Sequence, residues 1–173
     1  MRSPQVLAKF ARHYQTGEAI APELIARMNR ASAFGRGSWV SQQNTYTAIS
    51  YDLHKGKPQD VDLDAVTTED VNRYSHTVPL PGTHLYASFG HLASYSSAYY
   101  TYLWDKVIAE DFFQQFDAGN LLGGAAAMRY RRTVLEPGGS APANDLVKNF
   151  LGRPQSMAAF QKWMAEEFES AKN

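Results

Sequence analysis

The sequence predicts an all-α protein of about seven or eight helices. Apolar residues recur every three or four positions along most of the chain, and residues that favour helix starts and stops flank those stretches. The 173 residues fit one globular domain and can bury a hydrophobic core.

Two helices are predicted at the beginning of the chain. Ser3 followed by Pro4 is typical of a helix start, because the hydroxyl caps the first turn and proline suits its first position. Apolar residues then continue at helical spacing until Gly17, which we expect to end this helix. Pro22 begins the second helix, which is expected to end near Gly35.

The next segments are less regular. Ser38 can cap a third helix over residues 39–54. Residues 55–67 predict an acidic loop, and Thr67 or Thr68 is expected to begin a short helix because acidic residues follow it. Residues 74–89 predict an irregular segment rich in proline. A strand is the alternative for part of the third helix, around Thr47, Ile49 and Tyr51.

The second half of the chain predicts four helices. Residues 91–116 are apolar on nearly all sides, which is typical of a central helix. A helix over residues 125–135 and a short one ending at Gly152 follow. Ser156 caps the last helix, whose amphipathic stripe consists of Met157, Phe160, Trp163, Met164 and Phe168.

Composition excludes several functional classes. Seventeen basic residues balance seventeen acidic ones, so no cationic excess supports binding to nucleic acid. No cysteine is available for a disulfide, a thiolate metal site or a thiol nucleophile. The sequence shows neither a signal peptide nor an apolar run long enough to span a membrane, so we expect no membrane partner and a cytoplasmic protein.

No complete catalytic motif is visible. None of the five histidines is followed by glutamate, so the zinc-binding motif H-E-x-x-H is missing, as is the nucleophile elbow G-x-S-x-G. The acidic run Asp60–Asp64 lacks the glycine and the final glutamate of a calcium-binding loop. The sequence therefore predicts no metal site in this chain.

The most informative pattern is a set of one imidazole and three phenols. In a continuous helix His91, Tyr95, Tyr99 and Tyr102 fall within an arc of about 80°. Leucine or phenylalanine would suit a structural stripe better, because each buried phenol needs a hydrogen-bond partner. Such a face can donate hydrogen bonds to a peptide carbonyl or an oxyanion. On the pattern alone, packing in a core or interface stays the leading explanation.

Three ordered segments are similar to one known family. They are residues 10–17 (FARHYQTG), residues 90–104 (GHLASYSSAYYTYLW), and the series Arg129–Arg131, Leu135–Ser140 and Phe150–Arg153. Together they resemble the C-terminal part of the thimet oligopeptidase family of zinc peptidases, which includes the peptidyl-dipeptidases and mitochondrial intermediate peptidase. The resemblance covers nearly the whole chain.

The resemblance implies roles for the four aromatic residues. His91, Tyr95, Tyr99 and Tyr102 match substrate-binding positions, and Tyr99 and Tyr102 would stabilise the transition state. Many members of the family have two glycines before the first tyrosine, whereas this chain has Ala93 and Ser94 there and is one residue shorter. We therefore expect a stiffer loop.

The resemblance also implies an organisation and a set of partners. Residues 1–173 would form the C-terminal helical subdomain, with helices that follow the zinc site at 1–55, a loop-rich segment at 56–90, and the substrate-binding and C-terminal helices at 91–173. The family binds zinc through ligands that this chain lacks, so we expect short peptides and a chain or upstream domain carrying H-E-x-x-H as partners. The chain alone is expected to be an inactive fragment, because a zinc peptidase needs its metal to activate water.

Two alternatives remain open. The chain could be a stand-alone peptide-binding module, with the four aromatic residues and the segment 74–89 forming its groove. It could instead be a structural remnant that associates with itself as a homo-oligomer, because removal of a partner domain exposes apolar surface. Whether the parent enzyme is an endopeptidase or a dipeptidase is also left open.

Overall fold

The computed structural model describes residues 3–170, with side chains up to residue 167. Within this range the fold is all-α, as predicted, and the β-type pairing consists of an isolated bridge between Arg12 and Ala19. Shorter helical turns lie at Pro58–Asp60, Arg131–Leu135 and Gly138–Ser140. The α-helices of the described range are α1 (Pro4–Leu7), α2 (Pro22–Ala33), α3 (Arg36–Asp52), α4 (Leu63–Tyr74), α5 (Leu85–Ser88), α6 (His91–Tyr95), α7 (Thr101–Phe113), α8 (Ala125–Tyr130), α9 (Ala143–Leu151) and α10 (Ala158–Ser170).

The prediction of a first helix reaching Gly17 is wrong. Helix α1 ends at Leu7, and the chain then forms a hairpin-like turn in which the backbone of His13 donates to Glu18. Gly17, with φ of +74°, lies in this turn instead of ending a helix. Tyr14 is 87% exposed, so an extended helix would have had no core contact to stabilise it there.

Helix α3 confirms the third predicted helix and excludes the strand alternative. It begins at Arg36, after Gly35 in a left-handed conformation, two residues before the expected cap. Helix α4 begins at Leu63, so the predicted start at Thr67 or Thr68 is wrong. The reason is local, because the carboxylate of Asp62 accepts a hydrogen bond from the backbone N–H of Ala65 at 3.0 Å and caps the helix earlier.

The prediction of a continuous central helix over residues 91–116 is also wrong. The chain breaks between α6 and α7 at Ser96, whose φ of +50° is incompatible with a right-handed helix. The buried hydroxyl of Ser50 donates to the carbonyl oxygen of Ser96 at 2.5 Å, which satisfies a backbone group that the break leaves open. Helix α7 is not buried on all sides, since Tyr102 and Trp104 are each 40% exposed while Val107 and Phe112 are buried.

The C-terminal predictions are confirmed. Helix α8 continues into a π-helical turn over Arg131–Leu135, matching the predicted segment. Helix α9 ends at Gly152 in a left-handed conformation, and the Ser156 hydroxyl accepts a hydrogen bond from the N–H of Ala158. The side chain of Phe168, the last member of the predicted stripe, lies outside the described residues.

The chain divides into two compact units. Unit 1 comprises residues 1–34 and 107–173, and unit 2 comprises residues 35–106. The core of unit 1 is aromatic, with the ring of Phe150 lying 4.8 Å from that of Phe112 and 5.4 Å from that of Tyr130, both edge-on. In unit 2, α3 packs against α4 and the core comprises Ile49, Val71, Phe89 and Tyr99.

Candidate active-site surface

The structure brings the four predicted site residues together in unit 2. The ring of His91 lies 5.5 Å from that of Tyr95, 5.3 Å from that of Tyr99 and 5.7 Å from that of Tyr102, measured between centroids. Tyr102 also lies 4.9 Å from Tyr99 and 5.9 Å from Tyr95. We call these four residues the aromatic cluster.

The cluster forms across the helix break. His91 and Tyr95 are the first and last residues of α6, Tyr99 lies in the turn, and Tyr102 is the second residue of α7. Ala93 and Ser94, which replace the paired glycines expected from the resemblance, lie within α6. The prediction had placed these four rings on one face of a single helix. In the structure they lie side by side because of the turn between α6 and α7.

One hydrogen bond joins the two exposed phenols. The hydroxyl of Tyr102 donates to that of Tyr95 at 3.3 Å, and both side chains are at least 40% exposed. This hydrogen bond, together with desolvation and the neighbouring phenols, raises the pKa of Tyr102 to about 12. Tyr102 therefore keeps its proton at neutral pH, and Tyr95 has its own hydroxyl proton available for a ligand.

Tyr99 is the buried member of the aromatic cluster. It is 8% exposed and packs edge-on against Phe89 at 5.1 Å and Tyr46 at 5.6 Å. Burial raises the pKa of the Tyr99 phenol, which a hydrogen bond from Gln43 opposes. The ring of Phe89 also contacts His91 at 5.6 Å.

The residues that support the aromatic cluster were not predicted from the sequence. Tyr46 and Gln43 lie on α3, about fifty residues before Tyr99, and no local pattern marks them. Phe89 directly precedes the Gly90–Trp104 segment, so its proximity in sequence was the one available signal. Chemically, the resulting surface presents phenolic hydrogen-bond donors beside buried aromatic rings.

The comparison with known families decides the classification. The model of peptidase family M3 matches residues 1–166. This chain belongs to peptidase family M3. M3 is a family of zinc metallopeptidases, so the resemblance drawn from the three sequence segments is confirmed.

Individual members of the M3 family match nearly all of the chain. Dipeptidyl carboxypeptidase of Escherichia coli is 30% identical over 168 residues, which are 91% of this chain and 24% of that protein. Saccharolysin of Saccharomyces cerevisiae is 32% identical over 90% of this chain and 22% of its own length. Oligopeptidase A of E. coli is 28% identical over 90% of this chain and 24% of its own length. The chain spans about a quarter of the length of these relatives.

The described residues of this M3 chain do not form a zinc site. Between residues 3 and 170, no three histidine, cysteine, aspartate or glutamate side chains lie together where they could hold a metal ion. The predicted lack of metal ligands over the whole chain stays a prediction. None of the helices in the described part of the chain has both the length and the apolar character required to cross a bilayer.

Proposed function

We propose that this M3 chain provides the peptide-binding and transition-state-stabilising surface of a zinc oligopeptidase. The observation that supports the proposal is the convergence of His91, Tyr95, Tyr99 and Tyr102, with two exposed phenols linked by a hydrogen bond. Short peptides are the proposed ligands. Zinc would be held by residues other than those described, and its chemistry would be the activation of water.

Each member of the aromatic cluster has a proposed role. Tyr102 turns its hydroxyl proton from Tyr95 to the developing oxyanion when a peptide binds, and its pKa of about 12 keeps the phenol protonated at neutral pH. Tyr95 and His91 contact the peptide from α6, where both side chains are exposed. Tyr99 stabilises the same transition state through its contact with Tyr102 at 4.9 Å, since its own ring is buried.

Peptide titration tests the binding role. Labelled short peptides are titrated against the wild-type chain and against Tyr95→Phe, Tyr99→Phe and Tyr102→Phe. Loss of a phenol that contacts the peptide should weaken binding about tenfold, the size of one hydrogen bond to a neutral group. Tyr100→Phe is the matched control, because this neighbouring tyrosine is 53% exposed and lies outside the aromatic cluster. Equal binding by all variants, or no binding by any, would contradict the proposal.

A second experiment tests the dependence on a separate metal site. The chain alone, with added zinc, should not cleave a quenched short peptide, and a chain carrying the H-E-x-x-H part of an M3 peptidase should restore cleavage when the two are mixed. Tyr102→Phe should then lower kcat more than it raises KM, because its hydrogen bond strengthens in the transition state. Zinc-dependent cleavage by the purified chain alone would contradict the predicted inactivity.

Self-association is a second candidate function, favoured by exposed aromatic rings in unit 1. Phe34 is 88% exposed, Tyr14 is 87% exposed and Phe10 is 67% exposed. A homo-oligomer or a complex with a partner chain would cover them. Light scattering over a range of protein concentrations tests this candidate, and a strict monomer would exclude the homo-oligomer.

The location of the protein belongs to the proposal as well. A cytoplasmic location agrees with the lack of a membrane-spanning helix among the described residues. Fractionation of cells expressing a tagged chain would test it, and recovery in the membrane fraction would contradict it.

A further inference from the structure

Unit 2 contains a cavity that none of the four residues of the aromatic cluster lines. Its volume is about 260 Å³, slightly below the range typical of small-molecule sites. Helices α3 and α4 form its walls together with residues 75–85. The lining residues that give the cavity its chemistry are Thr45, Asp64, Val71, Thr77, Pro79 and Leu85.

The walls of the cavity favour an aliphatic ligand. Val71, Pro79 and Leu85 contribute only carbon atoms from their side chains. Most of the polar side chains in the walls already have hydrogen-bond partners within the protein, at 2.7–3.0 Å: Gln42 with Tyr46, Ser75 with Thr77, Thr45 with the Ser41 carbonyl and Thr83 with the Leu80 carbonyl. An aliphatic group can therefore enter without breaking these hydrogen bonds, and it gains free energy by burying apolar surface.

The charge of the cavity is negative and lies at its mouth. Asp64 is the charged side chain among the described lining residues, and its side chain is 58% exposed. A hydrogen bond with His84 at 2.7 Å, and another with Tyr86, lower the pKa of Asp64, so the carboxylate is ionised at neutral pH. A carboxylate has about four acceptor positions, so these two hydrogen bonds leave room for another donor. The mouth therefore attracts a cation and repels an anion.

We propose that this cavity binds a protonated primary amine carried on a short aliphatic chain. The chain occupies the space beside Val71 and Leu85, and the ammonium group donates a hydrogen bond to Asp64 at the mouth. A lysine side chain and the amino terminus of a peptide with an aliphatic first residue share this chemistry. The site goes beyond the function proposed for the aromatic cluster and does not depend on it.

Four small probes separate the contributions of charge and aliphatic chain. The full chain is titrated with n-pentylammonium, 1-pentanol, hexanoate and ethylammonium, while NMR follows the methyl groups of Val71 and Leu85. Pentylammonium should shift these resonances and bind about three- to fivefold more tightly than pentanol, the size expected of an exposed ion pair, and hexanoate should bind more weakly than pentanol. Ethylammonium should bind at least about tenfold more weakly than pentylammonium, because it lacks methylene groups that the cavity would bury.

Two further compounds identify the source of the amine. Leucine amide carries an amino terminus beside an aliphatic side chain, whereas Nα-acetyl-lysine N-methylamide carries its ammonium group at the end of the side chain. Displacement of pentylammonium by either compound would support the proposal, and the compound that binds more tightly assigns the source. Displacement by neither would contradict it.

Variants connect the binding to the cavity. Asp64→Asn should lower the affinity for pentylammonium to that for pentanol and leave the affinity for pentanol unchanged, because it removes only the charge. Glu69→Gln is the matched control, since this exposed carboxylate lies on α4 but does not line the cavity. Thr77→Phe should weaken binding of both probes about tenfold by placing a ring in the cavity. Val78→Phe should bind like the wild type, because Val78 is 84% exposed and does not line the cavity.

Several results would overturn the proposal. They are binding of pentanol or hexanoate as tight as that of pentylammonium, an equal loss of pentylammonium affinity in Asp64→Asn and Glu69→Gln, and wild-type binding by both Asp64→Asn and Thr77→Phe. The lack of any shift at Val71 and Leu85 would show that the cavity holds only water. Tyr102→Phe should leave pentylammonium binding unchanged, so a failure of the aromatic cluster to bind peptides is distinguishable from a failure of this site.

Discussion

Replacing Arg153 by methionine would remove two hydrogen bonds from a buried carboxylate. Asp111 of α7 is 2% exposed, and its two oxygens accept hydrogen bonds from Nη1 and Nη2 of Arg153, both at 2.7 Å. The backbone N–H of Ser156 donates a third, also at 2.7 Å. The hydrogen bond from the guanidinium holds the pKa of Asp111 below its usual range.

The expected loss of stability follows from this geometry. Removing one partner of a buried ion pair typically destabilises a protein by about 3–5 kcal/mol, because the other charge stays buried without compensation. The Arg153 side chain is 45% exposed, so water reaches the vacated position and reduces the loss. We therefore expect Arg153→Met to lower the free energy of unfolding by about 2–3 kcal/mol.

Urea unfolding at pH 7 measures this loss. Arg153→Lys should lower the free energy of unfolding by an intermediate amount, because lysine keeps the positive charge but cannot form the paired hydrogen bonds. Arg131→Met is the control, since its ion pair with Glu136 has side chains that are 64% and 52% exposed and should contribute less than about 1 kcal/mol. A loss in Arg153→Met no larger than that in Arg131→Met would refute the reasoning.

The pH dependence gives a second check on the same pair. Because the pKa of Asp111 is lower in the folded state, its stabilisation is complete above the unfolded value of about 3.9 and disappears as the pH falls through the folded value. The difference in stability between the wild type and Arg153→Met should therefore shrink below about pH 4. A difference that stays constant down to pH 2 would contradict the assigned role of the carboxylate.

Three further predictions concern unit 2. Ser96→Gly should raise the free energy of unfolding by up to about 1 kcal/mol in a urea titration, because glycine tolerates the positive φ; Ser97→Gly, the control, should not. Burial raises the pKa of Asp70 to about 6, so its contribution to stability falls as the pH rises from 4 to 6. Asp70→Asn should accordingly be more stable than the wild type by about 1–3 kcal/mol at pH 7 and by much less at pH 4, and an equal difference at both values would contradict this. Tyr95→Phe should lower the pKa of Tyr102 from about 12 towards 10 in an NMR titration of the ring, because the phenol loses its acceptor; an unchanged value would exclude that hydrogen bond as the cause.

Local signals in the sequence predicted the elements that depend on neighbouring residues. The Ser3 hydroxyl accepts the hydrogen bond of a helix cap from Val6, Gly152 ends α9, and Ser156 caps the beginning of α10. These features involve contacts over a few residues, which propensity and capping rules describe. The resemblance to the family was likewise recognised from three short segments of the sequence.

The three wrong helix predictions have different physical causes. The break at Ser96 involves a hydroxyl 46 positions earlier, so the apolar run that contains it gave no sign of a turn. The start of α4 was missed for a different reason, because Asp62 and Thr67 are both acceptable caps and the sequence does not rank them. The turn at Gly17 depends on backbone hydrogen bonds from Ile20 to Ala11 and from His13 to Glu18, which helical spacing cannot reveal.

The aromatic cluster was predicted from a premise that the structure does not support. The four residues were expected together because a continuous helix would align them, whereas they meet across the non-helical turn between α6 and α7. These residues were nevertheless chosen because several phenols occur in an otherwise apolar segment, and that reason does not depend on a continuous helix. Which of them is buried depends on Tyr46 and Phe89, and this information was not available locally.

Because of the turn at Ser96, the helical register of α7 does not depend on the number of residues in α6. In an unbroken helix, deleting one residue near position 93 would rotate everything beyond it by about 100° relative to the start. Here α6 is a five-residue helix, and a non-helical turn separates it from α7. A rotation of α6 is therefore not carried into α7 by continuous helical geometry. Natural variation or protein engineering can therefore change the length of α6 without rotating the helix that follows.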